Sequence, residues 1–167
     1  KPSNKFSIDG LQYQINSNTS YSVTITGYTG ENRKVNIPES VEYLGNRYSV
    51  TVIGARAFRD KSITEVHIPN TVKTIELAAF LYNGLKEVIL PNSINQIHDF
   101  AFSSNQISHI EIPASITDLN AGIFANNKLT EIHINGQIEK INSVSFYNNP
   151  ISKVFLKNLT LPRTDGK

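Results

Sequence analysis

A chain of 167 residues with 39% hydrophobic and 18% charged content is long enough to bury one core, and it reads as a single domain. It has no cysteine, which excludes disulfides, thiol chemistry and Cys-based zinc sites. The net charge of +2 arises within residues 1–60, where seven Lys/Arg face five Asp/Glu; residues 61–167 balance nine against nine. No basic stripe follows the chain, so nucleic acid is not an expected partner. No apolar run approaches the ~18–20 residues of a membrane helix, so no membrane insertion is expected of this segment. The sequence starts Lys1-Pro2-Ser3 and holds no methionine. It is therefore expected to be a processed or excised piece of a longer protein.

Residues 1–34 are expected to form an N-terminal β cap. Phe6-Ser7-Ile8, Leu11-Gln12-Tyr13-Gln14-Ile15 and Tyr21-Ser22-Val23-Thr24-Ile25-Thr26 alternate apolar and polar residues, with turn signals at Asp9-Gly10 and Asn16-Ser17-Asn18. That pattern predicts short antiparallel strands joined by hairpins. A repeating segment, 35–162, begins at Val35-Asn36-Ile37-Pro38. Its first unit is longer than the rest, with 31 residues from Pro38 to Pro69 against 22 from Pro69 to Pro91 and from Pro91 to Pro113. The additional nine, near 42–50, contain Gly45-Asn46 between aromatic and β-branched residues and predict a hairpin insertion. Residues 163–167 are expected to be a tail.

Phe58, Phe80, Phe102, Phe124 and Phe146 recur every 22 residues. Fixed self-similarity at such a period is the signature of a solenoid. Strand positions keep the same register: Val66-His67-Ile68, Val88-Ile89-Leu90, Ile110-Glu111-Ile112, Ile132-His133-Ile134 and Val154-Phe155-Leu156. Aliphatic columns flank them, among them Ile63, Leu85, Ile107, Leu129 and Ile151, and Ile53, Ile75, Ile97, Leu119 and Ile141. Twenty-two residues are too few for a βαβ unit, which needs ~30, so each coil is expected to be a strand, a turn and a compact return segment. Successive strands should stack in parallel at ~4.8 Å as one ribbon, and the phenylalanines should stack inside. Asn83, Asn105, Asn127 and Asn149 form a further column where the chain turns toward the next strand. An inward amide there can satisfy backbone groups that no sheet pairs. Lys61 holds this position in the first coil, so the asparagine ladder is expected to begin only beyond it.

The repeat, Leu/Ile-x-x-Val/Ile-x-Ile-Pro-x-x-Val/Ile-x-x-Ile-x-x-x-Ala-Phe-x-x-Asn, resembles the BspA-type leucine-rich repeats of bacterial surface proteins. Ile37-Pro38…Val41 with Ile53-Gly54…Ala57-Phe58, and Ile68-Pro69…Val72…Ile75…Ala79-Phe80, carry the resemblance, which covers about residues 6–158. Asn stands where that family commonly has Cys, and the glycine after Ile is kept only at Gly54. The resemblance implies a leucine-rich repeat solenoid of the α/β repeat class, mostly β, with a curved parallel sheet and an antiparallel N-terminal β cap. It also implies a secreted or cell-surface location and an adhesion role toward an extracellular protein or glycan.

Outward strand positions form two columns, Glu65, Glu87, His109, Glu131, Lys153 and His67, Ile89, Glu111, His133, Phe155. Within a column His109 stands between Glu87 and Glu131, which would favour its charged form. The partner-binding face is expected to consist of Glu65, His67, Glu87, Ile89, His109, Glu111, Glu131, His133 and Phe155. His109, Glu111 and His133 offer donors that suit zinc. Their strand positions, though, set His109 and His133 ~8 Å apart, so no metal, cofactor or catalytic residue is assigned. The usual nucleophile elbows, phosphate loops and His-Glu-x-x-His are missing from the sequence. Asn18-Thr19-Ser20 and Asn158-Leu159-Thr160 match the glycosylation sequon, a pattern common by chance. The module is expected to be a monomer or a weak end-to-end dimer through residues 150–160. The alternative to a binding module is a rigid spacer that presents another domain.

Overall fold

The computed structural model describes residues 2–17 and 21–157; the two sequons and the 163–167 tail contain residues outside that range. At the N-terminus, β1 (Lys5–Ile8) and β2 (Leu11–Ile15) pair antiparallel across Asp9-Gly10, both with left-handed backbone. Gly10 is required there, because a Cβ would lie 2.9 Å from the Gly30 backbone. Strand β3 (Ser22–Tyr28) pairs antiparallel with β2, and the alternation buries Leu11, Tyr13, Val23 and Ile25. After β4 (Lys34–Asn36), the strands β5 (Ser40–Tyr43) and β6 (Asn46–Ile53) form a hairpin around Leu44-Gly45, with φ of 50° and 77°. Two positive φ values suit the twist of a tight hairpin. β3 runs parallel to β6, so the N-terminal hairpins continue directly into the sheet of the coils.

Each later coil contributes up to two short strands. They are β7 (Glu65–His67), β8 (Thr74–Ile75), β9 (Gln96–Ile97), β10 (His109–Ile112), β11 (Asp118–Leu119), β12 (Glu131–Ile134), β13 (Lys140–Ile141) and β14 (Lys153–Leu156). One parallel row, on the return side, runs β3-β6-β8-β9 and then β11-β13. The other, on the face with the outward charged columns, comprises β4-β7 and β10-β12-β14. This second row is not the single ribbon expected. Residues 87–90 form no strand, and the row is interrupted between β7 and β10. Val88 and Leu90 remain buried while Ile89 is 83% exposed. Side-chain burial therefore keeps this segment in phase without a hydrogen-bonded ladder.

The phenylalanines form one continuous internal stack. Consecutive ring centroids from Phe58 to Phe146 lie 5.1, 5.1, 5.6 and 5.8 Å apart, with planes within 8° of parallel. Tyr28 of β3 lies over the first ring at 5.6 Å and seals that end. Beside the stack runs the asparagine ladder. Asn105 Nδ2 donates to the carbonyls of Phe80 (3.0 Å) and Phe102 (3.1 Å), and its Oδ1 accepts from the Leu85 N–H (3.1 Å). Asn127 and Asn149 repeat these bonds one and two coils on. The ladder begins at Asn83, beyond Lys61 as expected. Asn83 reaches back to the Phe58 carbonyl and to the N–H groups of Lys61 and Ile63.

In the last described coil the inward columns are not covered. Ile141, Val154 and Leu156, which the periodicity places inside, are exposed because no described residue stacks beyond them.

Candidate functional site

Strand alternation on β10, β12 and β14 turns every second side chain outward. In-register pairing sets His109 beside Glu131, Glu111 beside His133, Glu131 beside Lys153 and His133 beside Phe155. Five of the nine expected face residues thus meet in one patch: His109, Glu111, Glu131, His133 and Phe155. Glu65 and His67 lie on β7 beyond the interruption, where Glu65 pairs with Lys34 at 3.1 Å. Glu87 and Ile89 belong to the strandless segment and line a cleft of about 430 Å³ shared with His109, Glu111, Pro113 and Asn135. The carboxylate contacts of His109 correct the expected column. They run to Glu131 and to Glu111 on its own strand, not to Glu87, since residues 87–90 form no ladder with β10.

Glu131 is the centre of the patch. Its Oε2 lies 3.6 Å from His133 Nε2 and 4.0 Å from His109 Nδ1, while its Oε1 lies 3.8 Å from Lys153 Nζ. Lys153 follows Glu131 in the first outward column, so its place beside the central carboxylate was legible in the sequence, although it was not among the expected face residues. The second nitrogen of His109 points to Glu111 Oε1 at 4.0 Å. The imidazole of His133 stacks on Phe155 with centroids 4.4 Å apart and planes 19° apart, and meets the His109 ring edge-on at 4.8 Å. His133 Nε2 is buried and accepts or donates no hydrogen bond among the described residues. His109, Glu131 and His133 bring their donor atoms within 4.8 Å of one another, a grouping able to hold a metal ion.

The ~8 Å separation expected for the two histidines considered only strand positions. Diagonal side chains lean toward one another and close much of that gap, as long and aromatic side chains do across a strand pair. Glu131, between the two imidazoles, takes the place that the sequence reading gave to Glu111.

A second cleft, about 580 Å³, is lined by residues of the N-terminal hairpins and the first coil, among them Asp9, Tyr13, Tyr28, Lys34 and Glu42. Burial, with a smaller contribution from the Asp9 charge, pushes the Tyr13 hydroxyl up to about 12. It stays protonated at neutral pH and offers no acid–base chemistry.

The profile of the BspA type leucine rich repeat region matches residues 51–162 in six copies. No curated protein matches the chain. Among solved structures, the chain is similar to a leucine-rich repeat protein from Bacteroides capillosus. The two are 24% identical over 92% of this chain and 99% of that one, with a TM-score of 0.62. It is also similar to a leucine rich cell surface protein from Faecalibacterium prausnitzii (21% identity, 93% of this chain, 55% of that one, TM-score 0.59). The pneumococcal vaccine antigen PcpA gives a TM-score of 0.68 at 16% identity, over 95% of this chain and 51% of that one. The chain thus spans about half the length of the last two, and at these identities the likeness concerns the fold. With parallel rows of strands, a stacked aromatic core and a matched profile over most of its length, the chain belongs to the BspA-type leucine-rich repeat family.

Proposed function

We propose that this chain is the recognition module of a secreted or surface-attached bacterial protein, and that the outward face of β10, β12 and β14 binds an extracellular protein or glycan. One observation carries the reading: the register gathers His109, Glu111, Glu131, His133 and Phe155 into a single patch, with a stacked imidazole–phenyl pair at its edge. Aromatic faces flanked by charged groups suit both sugar rings and protein side chains. Ile89, exposed beside the adjoining cleft, supplies an apolar anchor, and Glu87 lies next to it. Glu65 and His67 extend the face toward the first coil. The cell-surface description of the Faecalibacterium relative supports the location.

A glycan-array and matrix-protein screen tests the reading. Binding by the unaltered chain should fall at least tenfold when His133 and Phe155 are both replaced by alanine. Equal binding by that double variant would move the site off this face.

A rigid spacer is the second reading, favoured by the unbroken phenylalanine stack from Phe58 to Phe146. It predicts that no ligand in the screen binds this module, while the rest of the full-length protein retains its binding partners.

A further inference from the structure

We propose that His109, Glu131 and His133 form a zinc-type divalent cation site on the outward strand face. Cation binding there requires no macromolecular partner. Three donors of the kind zinc takes, two imidazole nitrogens and one carboxylate oxygen, converge from adjacent parallel strands. Their separations of 3.6 Å (His133 Nε2 to Glu131 Oε2) and 4.0 Å (His109 Nδ1 to Glu131 Oε2) are too long for hydrogen bonds. They are close to what a shared ion needs, since bonds of about 2.0–2.1 Å at tetrahedral angles place ligand atoms roughly 3.4 Å apart. Small side-chain rotations would supply the difference.

Three further features mark the site as more than a surface ion-pair network. His133 Nε2 is shielded from solvent without a hydrogen-bond partner, a costly arrangement that a metal bond would relieve. Phe155 stacks on the same ring and fixes its plane, so the nitrogen stays aimed at Glu131. The other nitrogen of His109 faces Glu111, the outer carboxylate that commonly orients a ligating imidazole. Lys153 approaches Glu131 through Oε1 (3.8 Å), whereas both histidines face Oε2. Three protein ligands leave the fourth position for water or for a donor from a bound molecule.

The test uses tag-free full-length chain titrated calorimetrically with Zn²⁺, with Co²⁺ as a spectroscopic probe and Ca²⁺ and Mg²⁺ as controls. One Zn²⁺ per chain is expected, together with the visible absorption of tetrahedral Co²⁺ and no binding of the hard cations. His109→Ala, Glu131→Gln and His133→Ala should each weaken Zn²⁺ binding by about tenfold or more, and His98→Ala should leave it unchanged. In the unaltered chain, Co²⁺ should shift the imidazole proton resonances of His109 and His133 and not those of His98; this readout requires no variant to fold. Failure of the unaltered chain to bind Zn²⁺ would overturn the proposal. So would Zn²⁺ affinity unaltered in all three ligand variants, or Co²⁺ shifts centred on His67 or His98.

Discussion

The two sides of this solenoid obey different rules. On the return side every coil repeats the same contacts: a phenylalanine on a phenylalanine, and an asparagine bridging two carbonyls. On the strand side the row is interrupted at 87–90, the outward residues change from coil to coil, and the contacts among His109, Glu131, His133 and Lys153 do not follow the 22-residue repeat. The regular side specifies the fold, because a missing ring or amide there leaves a void or unpaired backbone groups in a dry interior. The variable side contacts solvent and is free to carry chemistry. A coil can lose its strand and keep its place.

Substitutions can break that contrast. Phe102→Ala, in the middle of the stack and fully buried, should cost about 3–5 kcal/mol in chemical denaturation and loosen the coils on both sides. A loss below about 1 kcal/mol would show that the stack is not what holds the coils together. Asn105→Leu keeps the branched heavy-atom skeleton but strips partners from the Phe80 and Phe102 carbonyls and the Leu85 N–H, so about 2–4 kcal/mol should be lost. Hydrogen exchange would sharpen this result, with the fastest new exchange expected at Leu85. On the other side, Ile89→Ser should change stability by no more than about 0.5 kcal/mol, because the side chain is almost wholly exposed and its segment has no ladder to lose. A larger loss, read from the same denaturation curves, would mean that 87–90 supports the fold after all.

What the sequence discloses follows the same division. Period alone located the phenylalanines and asparagines, since each column serves one repeated contact. It did not disclose the left-handed residues Arg56, Ala78 and Phe100, which share a 22-residue column with Gly122. Left-handed backbone is ordinarily signalled by glycine, and only the fourth member is one. At Gly122 the absence of a side chain has a second cause, because a Cβ would lie 2.3 Å from the Phe100 ring. The interruption at 87–90 was invisible because Val88 and Leu90 keep the alternation that predicts a strand. The meeting of His109 with His133 was missed for another reason. Strand spacing fixes where Cα atoms lie, whereas the ring separation depends on which way two side chains lean.

The asparagine ladder has an evolutionary consequence. Each amide bonds only within its own coil and the one before it: it donates to the phenylalanine carbonyls three and twenty-five residues back and accepts from the N–H twenty residues back. No coil therefore senses how many others exist. Whole units can be duplicated or excised in the gene with every bond at the new junction already provided for, so a lineage can adjust the span of such a module, and the number of faces it displays, without reinventing its interior.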